Sequence, residues 1–140
     1  MANTIAGFGF KDAGSLTGSP STYATINRQI LYNYGTAIAY GDPVKLANDG
    51  TIQLFANGDT TIDGIFAGCE YTDSSSIYNY KFSPNWSVPT LASTTVVTAR
   101  VIVDPMYAFI AQVSGGTAVQ TDIGNNIDIL TGTSGVPNAA

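Results

Sequence analysis

The residues of this chain that could do chemistry are few. There is no histidine, which removes the commonest general base, triad member and metal ligand. Glu70 is the only glutamate, and Asp42, Asp49, Asp63 and Asp104 each stand beside Gly or Pro, where a short carboxylate caps a turn. A glycosidase pair of carboxylates is the competing reading of these acids. Cys69, the single cysteine, lies in an apolar stretch with no base beside it. It reads as a small buried hydrophobe rather than a nucleophile. Asn57, Asp59 and Asp63 gather in a loop-like stretch but lack the ligand spacing of a calcium loop. Gly7-Phe8-Gly9-Phe10 and Gly115-Gly116 lack the spacing of phosphate-cradling glycines. No catalytic, cofactor-binding or metal-binding residue is assigned, and the chain is expected not to be an enzyme.

A group of aromatics carries more. Tyr71, Tyr78, Tyr80, Phe82 and Trp86 fall in or beside a stretch rich in Ser, Tyr, Asn and Pro. Such rings cover one end of a core, anchor a protein interface or stack on sugar rings. All three readings stand, with Tyr78, Tyr80 and Trp86 as the candidate interface residues.

The elements that must position these residues are strands. Only 11% of residues are charged, against a usual quarter or so. Helix formers are scarce, while β-branched, aromatic and turn residues abound. The length, 140 residues, suits one domain. The net charge is -5, and Lys11, Arg28, Lys45, Lys81 and Arg100 are scattered singly, so no nucleic-acid partner is expected. No apolar run approaches the roughly 18 residues of a membrane span, and no export signal is visible. One cysteine excludes an internal disulfide, which fits a reducing cytoplasm.

The fold expected is all-β, a small β-barrel or β-sandwich with an extended N-terminal arm over residues 1–22 and one β-rich domain over 23–140. Ile26, Arg28, Ile30, Tyr32 and Tyr34 share one face of a strand that Gly35 ends. Short strands follow at 37–40, 43–47 and 51–55, with hairpin signals at Asp49-Gly50 and Asn57-Gly58. In the next strand Ile65, Ala67, Cys69 and Tyr71 alternate with Gly64 and Gly68, glycines that mark a bend or a close backbone approach. Strands at 78–82, 96–103 and 107–113 come after, with a turn forced at Asp104-Pro105. Ile127, Ile129 and Leu130 remain for a last strand.

Several short motifs occur in a telling order: Gly41-Asp42-Pro43-Val44, Asp49-Gly50-Thr51-Ile52, the run from Gly64 to Asp73, Phe82-Ser83 with Trp86, and Val103-Asp104-Pro105 through Phe109-Ile110-Ala111-Gln112. Over roughly residues 41–126 the series resembles the capsid decoration (cement) proteins of marine podovirus-like tailed bacteriophages. The resemblance implies a structural virion protein made in the host cytoplasm, bound to the outer capsid surface and stabilising contacts between major capsid protein subunits. It also implies a homo-oligomer, a trimer sooner than a dimer, and no catalytic residues. The N-terminal Phe8, Phe10 and Lys11 are the expected capsid contacts, since an extended segment with aromatic anchors gains most from a partner that orders it. A receptor- or carbohydrate-binding virion module of head-fibre or adhesion type is the alternative.

Overall fold

Turn residues cut the chain into short extended pieces, and these pair almost wholly by antiparallel ladders. The computed structural model describes residues 9–18, 23–73, 80–113 and 116–129. Within them lie eight strands: β1 (Lys11–Ser15), β2 (Thr25–Ile30), β3 (Pro43–Leu46), β4 (Ile52–Leu54), β5 (Gly64–Thr72), β6 (Tyr80–Ser83), β7 (Val97–Ile102) and β8 (Tyr107–Ile110). The one helical turn among the described residues is a 3-10 turn at Gln120–Asp122. The protein is all-β.

Six strands form one sheet in the order β2-β7-β5-β3-β4, with β6 also paired to β5. Strand β5 is long enough to hold β3 at its start, where Pro43 faces Ile65, and β6 at its end, where Glu70 faces Phe82. The sheet curls until β2 and β4 meet at a single parallel bridge, Gln29 to Thr51. It does not close into a barrel; the arrangement is sandwich-like, with a two-stranded ribbon of β1 and β8 as the second sheet.

The core fills the inner side of the curl. Ile30, Ile38, Val44, Ile52, Phe66, Cys69, Trp86, Val97, Ala99 and Val101 form one buried cluster. Fully burying an aliphatic or aromatic side chain of this size stabilises by about 1.5–3 kcal/mol.

Several sequence expectations change here. Strand β2 stops at Ile30 rather than Tyr34, because Tyr34 N–H donates to Leu31 O at 2.8 Å and turns the chain. Tyr34 then serves the core instead of the ladder: its carbonyl accepts from Trp86 Nε1 at 3.0 Å, and its hydroxyl accepts from Leu54 N at 3.0 Å. The strand expected at 37–40 reduces to one bridge, Ile38 to Trp86. Asp49-Gly50 does make the β3–β4 hairpin, with Gly50 at φ 83° and the Asp49 carboxylate accepting from Thr51 N. Asn57-Gly58 makes a turn but not a hairpin, since it leads from β4 to β5 and these strands are separated by β3.

The largest correction concerns β5. A bulge shifts the register between Phe66, opposite Val101, and Cys69, opposite Ala99. Val101 and Ala99 share a face, so Phe66 and Cys69 do too, and the expected alternation of Ile65 with Ala67 and Cys69 breaks. Gly68, at φ 117°, supplies the left-handed conformation the bulge requires.

At the far end Asp104-Pro105 turns the chain as expected, with Met106 N–H donating to Asp104 Oδ1 at 2.9 Å. Its effect is to move the chain from the large sheet into the ribbon. Residues read as part of an arm belong to the same folded unit: β1 pairs with β8, and Phe10 N–H donates to Gly41 O at 2.8 Å. A lone two-stranded ribbon is marginal in water. This one is held by edge-on contacts running from Tyr23 to Tyr107, Phe109 and Phe10. Tyr107 also donates to the Asp12 carboxylate, and burial first, then that bond, push its phenol up to about 12. No strand forms over 127–129, and Leu130 lies outside the described residues.

Candidate interaction surface

The acids single themselves out as structural. Asp42, Asp49 and Asp104 accept turn N–H groups from Ala39, Thr51 and Met106. Asp63 departs from that pattern: Arg28 grips it with two bonds of 2.8 Å from Nε and Nη2. Asp59 takes Lys45 Nζ at 2.8 Å and Ala56 N–H at 2.7 Å. The two carboxylates of the calcium-like trio therefore go to separate ion pairs. Among the described residues no three acid, cysteine or histidine side chains gather in reach of one ion. Cys69 is buried, with its S–H directed at Asn85 O, and burial alone pushes its thiol up to about 11. It stays protonated at neutral pH.

The expected interface residues separate. Trp86 is not an interface residue: it is 1% exposed, its ring meets Tyr71 edge-on at 6.2 Å, and its indole N–H is spent on Tyr34 O. Phe10 packs edge-on against Phe109 at 6.0 Å, while Lys11 is exposed at the start of β1. Phe8 and Tyr78 lie outside the described residues. Tyr80 is 64% exposed.

Around Tyr80 the register assembles a surface. Tyr71, Val97, Ala99 and Ile30 point to the core, so their neighbours on β5, β7 and β2 point outward. Glu70 lies opposite Thr98 on one side and Phe82 on the other, and Thr98 lies opposite Gln29. The next row outward holds Tyr80 opposite Thr72, with Val96 and Leu31 just beyond the Val97–Ile30 pair. Arg100, opposite Asn27, starts the row on the other side. Tyr80 at 64% exposed and Phe82 at 54% thus lie on the solvent side of one sheet, with Val96 at 62% and Leu31 at 44% exposed just past the strand ends.

Polar groups on this face are tied together. Glu70 Oε2 accepts from the Tyr80 hydroxyl and, at 3.2 Å, from Arg100 Nη2. The guanidinium also lies over the Phe82 ring, 5.7 Å from its centroid. The Tyr80 bond, followed by the nearby Arg100 charge, holds the Glu70 carboxyl below its ordinary range, and the same bond raises the Tyr80 phenol. The carboxylate is ionised at neutral pH and balances Arg100 locally. Sequence reasoning found Tyr80 but missed Leu31, Val96 and Arg100. The legible signal was Val96, an apolar residue out of phase with Val97, Ala99 and Val101.

A second exposed apolar run follows the ribbon. Val119, Ile123 and Ile127 flank the 3-10 turn, which buries none of its own residues. No family model, curated protein or solved structure matches the chain.

Proposed function

We propose that this protein is a structural virion component of the decoration (cement) type, which binds the outer surface of an assembled tailed-phage capsid and stabilises contacts between major capsid protein subunits. The observation that carries the reading is the exposed apolar segment after β8. Ile123 is 79% exposed and Ile127 72%, in a stretch that takes a defined course while burying almost nothing against its own chain. A segment of that kind gains its burial from a partner. Its charges, Asp122 and Asp128, are both negative, so the fitting partner surface is an apolar groove with a neutral or basic rim.

The motifs behind the resemblance each have a local role in the fold. Gly41, at φ 88°, has no room for a Cβ, which would lie 2.6 Å from Phe10 O. Asp49-Gly50 sets a hairpin, and the bulge at Gly68 sets the β5 register. A protein that binds the assembled lattice more tightly than free subunits stabilises the shell by mass action. The test is co-sedimentation with capsids lacking the protein. Saturable binding at a fixed copy number per shell supports the reading, and loss of binding in Ile123→Asp places the contact; absence of binding by the intact chain rejects it.

The receptor- or carbohydrate-binding alternative is favoured by one observation, the exposed pair Tyr80 and Phe82 beside Glu70 and Arg100. Binding to a glycan array that Tyr80→Ala abolishes would replace the first reading with this one.

A further inference from the structure

Three times the chain sets an acid or amide side chain directly before a glycine: Asp49-Gly50, Asn57-Gly58 and Asp63-Gly64. In such a pair the backbone nitrogen of the glycine can attack the side-chain carbonyl carbon before it and close a small ring. Glycine has no Cβ to bar that approach.

Two of the three pairs are held back. The Asp49 carboxylate accepts from Thr51 N at 2.9 Å and from Thr51 Oγ1 at 2.7 Å. Arg28 grips both oxygens of Asp63, and Gly64 is fixed in β5 opposite Val44. A carboxylate held ionised by its donors is also a poor electrophile. Asn57-Gly58 differs on each count. Its side chain is a neutral amide, whose nitrogen can leave as ammonia. The pair fills the middle of a turn that Asp59 N–H closes on Ala56 O at 3.0 Å, while the Asp59 carboxylate accepts from Ala56 N–H at 2.7 Å. The closing bond is thus made without the Gly58 nitrogen. Asn57 and Gly58 are both exposed, and a Cβ built on Gly58 would meet nothing within 4 Å.

We propose that Asn57 is a self-modification site, where the folded protein converts an amide into a carboxylate without an enzyme. The Gly58 nitrogen gives its proton to water or hydroxide and bonds to Asn57 Cγ. The Cγ–Nδ2 bond breaks as Nδ2 takes up a proton, and ammonia leaves behind a succinimide. One water then opens the ring at either carbonyl, giving aspartate or isoaspartate at position 57. Nothing is oxidised or reduced. The net charge of -5 becomes one unit more negative. The new carboxylate stands on the wall of a cavity that it shares with Asp59 and Asp128, and the charge of a molecule comes to record its age.

Prolonged incubation of the full chain in warm, mildly alkaline buffer tests this, with the protein folded and in urea. Peptide mass spectrometry and an isoaspartate assay read each position. In the folded protein Asn57 should gain one mass unit about tenfold faster than any asparagine that lacks a following glycine. Its folded rate should stay within about tenfold of its rate in urea, whereas isoaspartate at 49 and 63 should form more than about tenfold slower folded than in urea. Asn57→Gln, whose longer side chain closes the ring poorly, should keep the native circular dichroism spectrum and lose the acidic species on ion exchange. A folded rate at Asn57 more than about tenfold below that in urea overturns the proposal. So does conversion no faster than at the other asparagines, or isoaspartate forming at 49 or 63 as fast as at 57.

Discussion

Phe82 lies across Gly68: a Cβ placed on the glycine would stand 2.9 Å from Phe82 Cζ and 3.0 Å from Ser83 O. The ring covers backbone that a side chain would otherwise shield, while the glycine adopts the φ of 117° that makes the β5 bulge.

Gly68→Ala therefore meets two penalties, strain at positive φ and overpacking against Phe82. Together they should cost about 2–4 kcal/mol, read as a lower urea midpoint. A loss under about 0.5 kcal/mol would show that the bulge tolerates a Cβ.

Trp86 gives a graded pair of variants. Trp86→Phe removes the N–H that satisfies Tyr34 O and should cost about 1–3 kcal/mol. Trp86→Ala opens a cavity in the centre of the core and should cost about 3–5 kcal/mol. A Trp86→Phe loss under about 0.5 kcal/mol in chemical denaturation would mean the hydrogen bond contributes nothing.

Val88 adopts φ 56° and is 40% exposed. A β-branched residue held there loses about 1–2 kcal/mol, partly offset in a glycine by the greater freedom of the unfolded chain. Val88→Gly should thus raise stability by up to about 1 kcal/mol, seen as a higher unfolding midpoint.

Two acids should respond to pH with opposite signs. Burial raises the Asp42 carboxyl above its ordinary value, although Ala39 N–H opposes this. Its ionised form is the poorly accommodated one, so the native state is favoured below the ordinary range and loses stability as pH rises through it. Asp42→Asn should be more stable than wild type at neutral pH, and the gain should vanish in acid. Asp59 is lowered, first by Lys45. Its stabilisation is present above the ordinary carboxylate range and is lost as pH falls through the depressed value. Asp59→Asn should be less stable at neutral pH and equal to wild type in acid. Matching pH profiles for the two variants would contradict at least one of the assignments.

The sequence was most legible where local chemistry decides the conformation. Asp49-Gly50 and Asp104-Pro105 specify turns within their own few residues, and the alternation of Val97, Ala99 and Val101 named its face correctly. It misled where a distant residue decides. Tyr34 continues the pattern of β2, and only Trp86 and Leu54, brought close by the fold, explain why it leaves the ladder. The β5 bulge looked like regular alternation, because the residue that shows the shift, Phe66, is apolar like Ile65. The exposure of Leu31 and Val96 was hidden for a related reason: both sit just past strand ends, and nothing in either local stretch says that the ladder stops at Ile30 and Val97.

The pairing of β1 with β8 brings Asp12 to Tyr107, 95 positions away. As the chain leaves the ribosome, Lys11 to Ser15 emerge before β8 and can find their strand partner only after all the strands between have been made. The ribbon therefore forms late, after the β3–β4 hairpin and the β5–β7 pairing have had time to assemble. During that interval Phe10 lacks its neighbour Phe109, which leaves β1 open to capture by a chaperone or by another copy.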